Sequence, residues 1–226
     1  MALFPSLEIR SGFSVRIKMS KSWQRKRNYS SRRVSSRHIR NRILILCEGK
    51  KTEPNYFRKF PVDIELVEIE VDGTGKNTIS IIDEAYDRGQ RASNEYQPYN
   101  QIWCVFDRDS FPVDRFKDAL SLARRKHIRV AYSNECFELW YYLHYNYLDS
   151  ALSRNDYPDK LTELMGQRYK KNDKNMYELL KEKQKNAIEN ANKLLSSYSY
   201  CNPEKDNPST TVHELVKVLN EFIKES

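Results

Sequence analysis

The sequence lacks the long apolar runs and paired cysteines that mark membrane proteins and disulfide-rich proteins. No apolar run is long enough to span a bilayer, and the first residues contain no continuous apolar stretch of the signal-peptide kind. The four cysteines lie far apart and form no CxxC pair, and three of them lie in apolar segments, which indicates reduced, buried thiols rather than zinc ligands. We therefore expect a cytoplasmic protein without a membrane partner.

Acidic residues are nearly absent from the N-terminal segment. Through residue 42 the chain carries twelve lysine or arginine residues and one acid, Glu8, whereas the remainder carries 27 basic and 30 acidic residues. Residues 1–41 also lack sustained periodicity, so we predict a flexible basic arm that contacts the phosphate backbone of nucleic acid. The arm residues assigned to that contact are Arg25, Lys26, Arg27, Arg32 and Arg33. A solvated tail, an organelle transit peptide and a translation start at Met19 are the alternatives.

Between residues 42 and 148 the apolar pattern alternates between strands and helices. Strands are predicted at Ile43–Cys47, Ile64–Val71, Gln101–Phe106 and Ile128–Tyr132. Helices are predicted to follow them, with Thr52 capping the first helix and Asn77 or Thr78 capping the second. Such alternation is typical of an α/β fold whose mostly parallel sheet is flanked by helices.

Beyond Asp149 the pattern indicates helices only. They are predicted at Leu161–Gln167, Asp173–Tyr198 and Ser209–Lys224. We expect this helical part, residues 149–226, to pack against the sheet and to complete a domain that begins at residue 42.

Short acidic motifs directly follow two of the predicted strands. ILILCEGKKTE places Glu48 and Glu53 after the first strand, and IWCVFDRDS places Asp107 and Asp109 after the third. Ligands of open α/β sheets bind beyond the carboxyl ends of the strands. Carboxylates gathered there repel one another unless they are protonated or neutralised by a metal ion. The motifs therefore predict a site for Mg²⁺ or Mn²⁺ and phosphoryl-transfer chemistry.

Other charged residues near these motifs are assigned to the same site. Glu138 lies within an aromatic segment where an unpaired charge is costly, so it either binds the metal or contacts a group that does. Glu53 either binds the metal or stabilises the start of its helix. The side chains expected to contact phosphates are Lys50, Lys51, Arg108 and Lys171. A solvated surface is the alternative for each lysine taken alone.

Four motifs in combination resemble the RloB family. They are CEGKKTEPNYF (47–57), VFDRDS (105–110), SNECFELWYYLHY (133–145) and NPSTTVHELV (207–216). A glutamate after a first strand and a DxD motif after a later one also resemble the signature of the Toprim fold, a Rossmann-like α/β architecture. The resemblance runs from about residue 41 to the C-terminus. It implies that Glu48, Asp107 and Asp109 are the catalytic and metal-binding positions, with Glu53 and Glu138 as further ligands.

The same resemblance implies a function. It points to a metal-dependent endonuclease of bacterial anti-phage defence that acts by abortive infection beside an ABC-type ATPase. Its substrate would be RNA, including transfer RNA, or DNA. Two alternatives stay open: a catalytically inert nucleic-acid-binding or regulatory subunit, and strand synthesis or transfer as in primases and topoisomerases. The oligomeric state is also open, since an exposed sheet edge can pair with another strand.

Overall fold

In the computed structural model of the protein, residues 40–108 and 113–224 are described. The predicted basic arm, with Arg25, Lys26, Arg27, Arg32 and Arg33, lies outside these residues, and so does Asp109. The predicted boundary between arm and domain at residues 41 and 42 therefore stays a prediction.

One five-stranded sheet organises the described part of the chain, with the strand order β2-β1-β3-β4-β5. Its strands are β1 (Asn41–Cys47), β2 (Val67–Gly73), β3 (Gln101–Asp107), β4 (Arg129–Asn134) and β5 (Ser209–Thr210). The first four strands are parallel, and β5 pairs antiparallel with the end of β4. The predicted α/β fold with a mostly parallel sheet is thus confirmed.

Eight α-helices connect and cover the strands in the described residues. They are α1 (Thr52–Phe57), α2 (Thr78–Asn94), α3 (Val113–Arg125), α4 (Glu138–Leu143), α5 (Tyr157–Met165), α6 (Met176–Leu180), α7 (Gln184–Ser196) and α8 (Val212–Asn220). Asn77 caps α2 as predicted, because its side-chain oxygen accepts a hydrogen bond from the Ser80 amide at 3.0 Å. None of the helices in this part of the chain is long and apolar enough to cross a membrane.

Several predicted boundaries are wrong, and the helix predicted at Leu161–Gln167 spans Tyr157–Met165. Three other differences have a local reason. The second strand begins at Val67 rather than Ile64, because the Asp63 carbonyl accepts hydrogen bonds from the amides of Leu66 and Val67 and closes a turn. The long helix predicted from Asp173 is interrupted by a 3₁₀ segment, Lys181–Lys183. The last helix begins at Val212 because the two residues of β5 first extend the sheet.

The strands separate two apolar cores. Ile43, Ile45 and Cys47 of β1 face a large cluster that includes α1 and most of the C-terminal helices, whereas Leu44 and Leu46 face α2 and α3. Successive side chains of a strand point to opposite faces, so a continuous apolar run fits a strand covered on both sides. All five residues are fully buried. Each fully buried aliphatic side chain contributes about 1.5–3 kcal/mol, so β1 is firmly anchored in the core.

His144 is a buried titratable group at the end of α4. One ring nitrogen, Nδ1, donates to the Trp140 carbonyl at 2.8 Å, and the imidazole packs edge-on against the Trp140 ring. Burial lowers the pKa of His144 from 6.5 to about 4, with Lys183 adding a smaller effect in the same direction. The folded protein therefore holds this imidazole neutral in the range where the unfolded chain protonates it.

We predict a stability loss on acidification that depends on His144. Between pH 6.5 and pH 4 the unfolded state binds the proton more readily, so the free energy of unfolding falls with falling pH by up to about 3 kcal/mol. Chemical unfolding should be measured across this range for the wild type and for His144→Gln, which does not titrate there. The wild-type curve should be the steeper of the two; parallel curves would contradict the prediction.

Candidate functional site

A cleft of about 320 Å³ opens at the edge of the sheet where β1 and β3 end. Its lining contains four carboxylates, namely Glu48, Glu53, Asp107 and Glu138. It also contains four cationic side chains, Lys50, Lys51, Arg154 and Lys171. The structure thus brings both acidic motifs to one place, together with the acidic residue of α4. Mixed charge of this density is the main chemical feature of the cleft.

Parallel pairing of β1 with β3 sets the position of the two central acids. Cys47 lies beside Val105 in the sheet, and the Glu48 amide donates to the Val105 carbonyl at 2.8 Å. Glu48 therefore leaves the sheet next to the end of β3, where Asp107 is the last residue of its strand. Both acids are partly buried.

The turn after β1 is clamped by the segment that follows β2. The Thr74 amide donates to the Cys47 carbonyl and the Gly75 amide to the Glu48 carbonyl, each at 2.9 Å. Gly73 packs directly on the turn, since a Cβ there would lie 2.7 Å from the Gly49 carbonyl oxygen. The glycine-rich loop after β2 thus serves the site by holding the Glu48 turn through backbone contacts.

Glu53 is a buried carboxylate beside this turn. Its carboxylate lies close to Gly49, where an added Cβ would be 2.0 Å from Oε2. Glu53 is only 5 % exposed, and burial raises its pKa above the ordinary value, with the nearby Glu138 carboxylate adding to the rise. Lys171 and Arg154 oppose that rise. A cation in the cleft would favour the ionised form of Glu53.

Thr52 does not cap α1, contrary to the prediction. Lys51 occupies the capping position, and the Thr52 hydroxyl instead donates to the Asn172 side-chain oxygen at 2.8 Å. Asn55 of α1 donates to the Asn172 carbonyl at 3.0 Å. Asn172 has a positive φ of 67°, a conformation that asparagine tolerates better than most residues. These contacts fasten the loop between α5 and α6 to the rim of the cleft.

The same loop supplies partners for Glu138. The Tyr169 hydroxyl donates to Glu138 Oε1 at 3.1 Å, and the Lys171 ammonium lies 3.6 Å from that oxygen. Glu138 is 5 % exposed, so a hydrogen bond and a nearby cation offset most of the cost of burying its charge. Tyr169 and Lys171 therefore fix Glu138 at the side of the cleft, and Lys171 remains exposed to an incoming ligand.

Arg154 contacts Asp107, one of the two central acids. Its Nη2 lies 3.0 Å from Asp107 Oδ2, and its backbone amide donates to Glu135 Oε2 at 2.9 Å. The guanidinium thus neutralises part of the negative charge at the end of β3. Sequence reasoning missed this residue because the loop before α5 carries no recognisable motif.

The predicted phosphate contacts divide into two groups. Lys50, Lys51 and Lys171 line the cleft, as a role in binding an anionic ligand requires. Arg108 does not line it: its Nε donates to the Glu204 carbonyl at 3.0 Å, and its guanidinium lies 6.0 Å from the Phe116 ring centre. In this structure Arg108 ties the end of β3 to the segment before β5.

The donor chemistry of the cleft suits a divalent cation in part. Carboxylate oxygens are the ligands that Mg²⁺ and Mn²⁺ prefer, and Glu48 and Asp107 meet at the strand ends. Within residues 40–108 and 113–224, however, no three histidine, cysteine, aspartate or glutamate side chains are grouped closely enough to hold a metal ion. The predicted third ligand, Asp109, lies outside the described residues. A complete ligand set therefore stays a prediction.

Comparison with known proteins identifies one related family. The family model described as RloB-like protein matches residues 43–219, which include every strand and α-helix of the described chain apart from the ends of β1 and α8. The chain matches no curated protein and no solved structure.

We predict that Gly73→Ala destabilises the protein through the Glu48 turn. The new Cβ would lie 2.7–2.8 Å from backbone atoms of Gly49 and Lys50, which cannot rotate away, so about 1–3 kcal/mol of stability should be lost. Urea unfolding followed by circular dichroism measures this loss. Gly89→Ala in α2 is the control, because its Cβ meets only the end of the Ile102 side chain. Equal losses of stability in the two variants would show that the contact of Gly73 with the Glu48 turn is no more rigid than an ordinary side-chain contact.

Proposed function

The chain belongs to the RloB-like family, and from that membership and the acidic cleft we propose that it is a divalent-metal-dependent endonuclease with a Toprim-type fold. Its substrate is the phosphodiester backbone of RNA, with transfer RNA as one candidate, or of DNA. The observation that carries the proposal is the convergence of Glu48 and Asp107 at the carboxyl ends of two adjacent parallel strands. Ligand sites of open α/β sheets lie at this edge.

Glu48 and Asp107 are the residues that would hold Mg²⁺ or Mn²⁺, with Asp109, Glu53 and Glu138 as further predicted ligands. A bound divalent ion supplies charge neutralisation at a phosphoryl group and activates water as a nucleophile. The protein's own contribution is to hold these carboxylates in place and to bring cationic side chains beside them. Strand ends fix Glu48 and Asp107, and the loop between α5 and α6 fixes Glu138.

The cationic side chains of the cleft would position the substrate. Lys50, Lys51 and Lys171 lie at the exposed rim, where they can contact the non-bridging oxygens of a phosphate. Such contacts place the backbone over the carboxylates but read no base sequence. The basic arm would add a longer-range attraction that weakens as salt rises.

Arg154 has a dual role in this proposal. In the free protein its guanidinium offsets the charge of Asp107. When a cation takes over that task, the guanidinium becomes available to a phosphate oxygen, which it can bind in a forked geometry. Arg154 would then stabilise the additional negative charge that develops on the phosphoryl group during cleavage.

The biological setting is proposed from the family resemblance. Abortive-infection defence against phage, beside an ABC-type ATPase in the cytoplasm, is the role that this resemblance implies. The alternative is a subunit that binds nucleic acid without cleaving it. One observation favours that alternative, namely that the described residues alone provide no group of three metal ligands. Cleavage assays with matched variants decide between the two.

We predict that Asp107→Asn and Glu48→Gln abolish cleavage of transfer RNA and DNA substrates in Mg²⁺ or Mn²⁺. The loss should exceed about 100-fold, because even residues that only support metal ligands cost 10–100-fold. Asp87→Asn in α2 removes one exposed acid that does not line the cleft and should cleave like the wild type. Thermal unfolding confirms that each variant folds.

Two results would contradict the enzyme proposal. Full activity in both cleft variants would remove these acids from the catalytic machinery. A wild-type protein that binds metal and nucleic acid but never cleaves would establish the inert subunit instead.

A second prediction concerns Arg154→Ala. The Arg154 guanidinium competes with a metal ion for Asp107, so its removal should raise the affinity for Mn²⁺. Because Arg154 is 42 % exposed, the ion pair is weak, and we expect a rise of about two- to fivefold. Cleavage at saturating Mn²⁺ should nevertheless fall by roughly tenfold or more, because a charge-stabilising donor is lost. Calorimetric titration with Mn²⁺ and single-turnover cleavage measure the two effects. Arg168→Ala, an exposed change outside the cleft lining, is the control. Lower Mn²⁺ affinity in Arg154→Ala would contradict the competition.

A further inference from the structure

No strand of the described residues pairs with the outer edge of β2. Within the described residues β2 pairs only with β1, which leaves it as the terminal strand of the sheet. The Leu66 carbonyl accepts from the Asn41 amide at 2.9 Å and so points toward β1. Backbone groups of successive residues alternate in direction along a strand, so those of Val67, Ile69 and Val71 point outward. Such an edge is a template for another strand.

The protein already satisfies two of these outward groups. The Val67 amide donates to the Asp63 carbonyl at 3.0 Å, and the Val71 carbonyl accepts from Arg58 Nη2 at 2.7 Å. Among the described residues, the outward groups without a hydrogen-bond partner are the Val67 carbonyl, both groups of Ile69 and the Val71 amide. Their order along the strand, acceptor, donor with acceptor, then donor, is symmetric about Ile69 under a two-fold rotation.

A second copy of this edge, running antiparallel, places a donor opposite each of these acceptors. In an antiparallel pair centred on Ile69, each Ile69 amide meets the carbonyl of the partner's Ile69, and each Val71 amide meets the carbonyl of the partner's Val67. Four hydrogen bonds result. The Val67 amide and the partner's Val71 carbonyl would also face each other across the pair. They add no intermolecular hydrogen bond, because Asp63 and Arg58 already bind these two groups within each protomer.

The side chains on one face of this edge are apolar. A groove of about 300 Å³ runs beside β2. Its apolar lining includes Phe57, Phe60, Ile64, Val67, Ile69 and Val71, and three charged residues, Arg40, Arg58 and Glu68, also line it. Next to it, Ile64 is 72 % exposed and Leu66 is 53 % exposed, which is costly for large aliphatic side chains in water. The antiparallel pairing sets Val67 opposite the partner's Val71 and extends this apolar surface across the two-fold axis.

Charges also complement one another in this arrangement. Arg58 lies at the Val71 end of β2, so pairing brings it to the partner's turn, which carries Asp63 and Glu65. On the opposite face Glu68 meets the partner's Glu70, a like-charge contact. That repulsion is offset within each protomer, where Glu68 and Glu70 each lie 3.1 Å from an arginine.

We propose that β2 is a homodimer interface, through which two chains form one continuous ten-stranded sheet. The occupant of the open edge is a second copy of this chain, because its unsatisfied backbone groups, apolar face and end charges are each self-complementary. The interface lies beyond β1 from β3 and does not include the predicted catalytic acids, so the inference is independent of the proposed nuclease activity.

The first test is Ile69→Pro in the full chain. The Ile69 amide points away from β1, so proline at this position removes no hydrogen bond of the monomer sheet. Edge strands tolerate proline at such positions. The variant removes two of the four intermolecular hydrogen bonds. Sedimentation equilibrium over a concentration series should show a dimer for the wild type and a dissociation constant raised about tenfold or more for Ile69→Pro. Tyr96→Ser, which removes an exposed aromatic outside the edge, should dimerise like the wild type.

Exchanging the charges of Arg58 and Glu65 separates loss of the dimer contact from loss of folding stability. Arg58→Glu and Glu65→Arg should each weaken the dimer, and the double variant should recover most of the lost affinity, which general destabilisation cannot do. A wild type that stays monomeric at all concentrations would overturn the proposal and leave the edge to a strand of another protein. A dimer that Ile69→Pro and both charge variants leave unchanged would place the interface elsewhere and overturn it equally.

Discussion

The parallel pairing of β1 with β3 is the constraint on which the cleft depends. It places the residues that leave these strands side by side, and the hydrogen bond from the Glu48 amide to the Val105 carbonyl extends that order one residue beyond β1. Both strands are buried on two faces, so the cores above and below the sheet resist any relative movement of their ends. The stability of the apolar layers thereby fixes a cluster of like charges that would otherwise separate.

Cationic side chains from the helical part of the chain reduce the repulsion between these carboxylates. Arg154 and Lys171 arrive from loops before and after α5, and each meets a different acid. Thr52 and Asn55 hold the second loop in place through Asn172, and Tyr169 supplies a neutral donor to Glu138. Acidic residues from the sheet half and basic residues from the helical half therefore form one electrostatic unit.

Sequence patterns predicted the sheet and the meeting of its acids, because both follow from local periodicity and from the geometry of parallel strands. The continuous apolar run of β1 and the acid directly after it are local signals. The partners of those acids are not local. Arg154 reaches Asp107 across 47 residues of sequence, and Thr52 meets Asn172 across 120. For the same reason Thr52 looked like a helix cap, although its hydroxyl is used in a long-range contact. The two-residue strand β5 is too short to produce an alternating pattern, so its pairing with β4 could not be predicted.

The split origin of the cleft has a consequence for protein synthesis. The sheet acids leave the ribosome well before the loops that carry Arg154 and Lys171, and β5 and α8 follow later still. A chain terminated before residue 154 would carry the carboxylates with Lys50 and Lys51 but without Arg154 and Lys171, which contact Asp107 and Glu138. The full set of charges therefore assembles only after residue 171 has been synthesised, and shorter products would lack it.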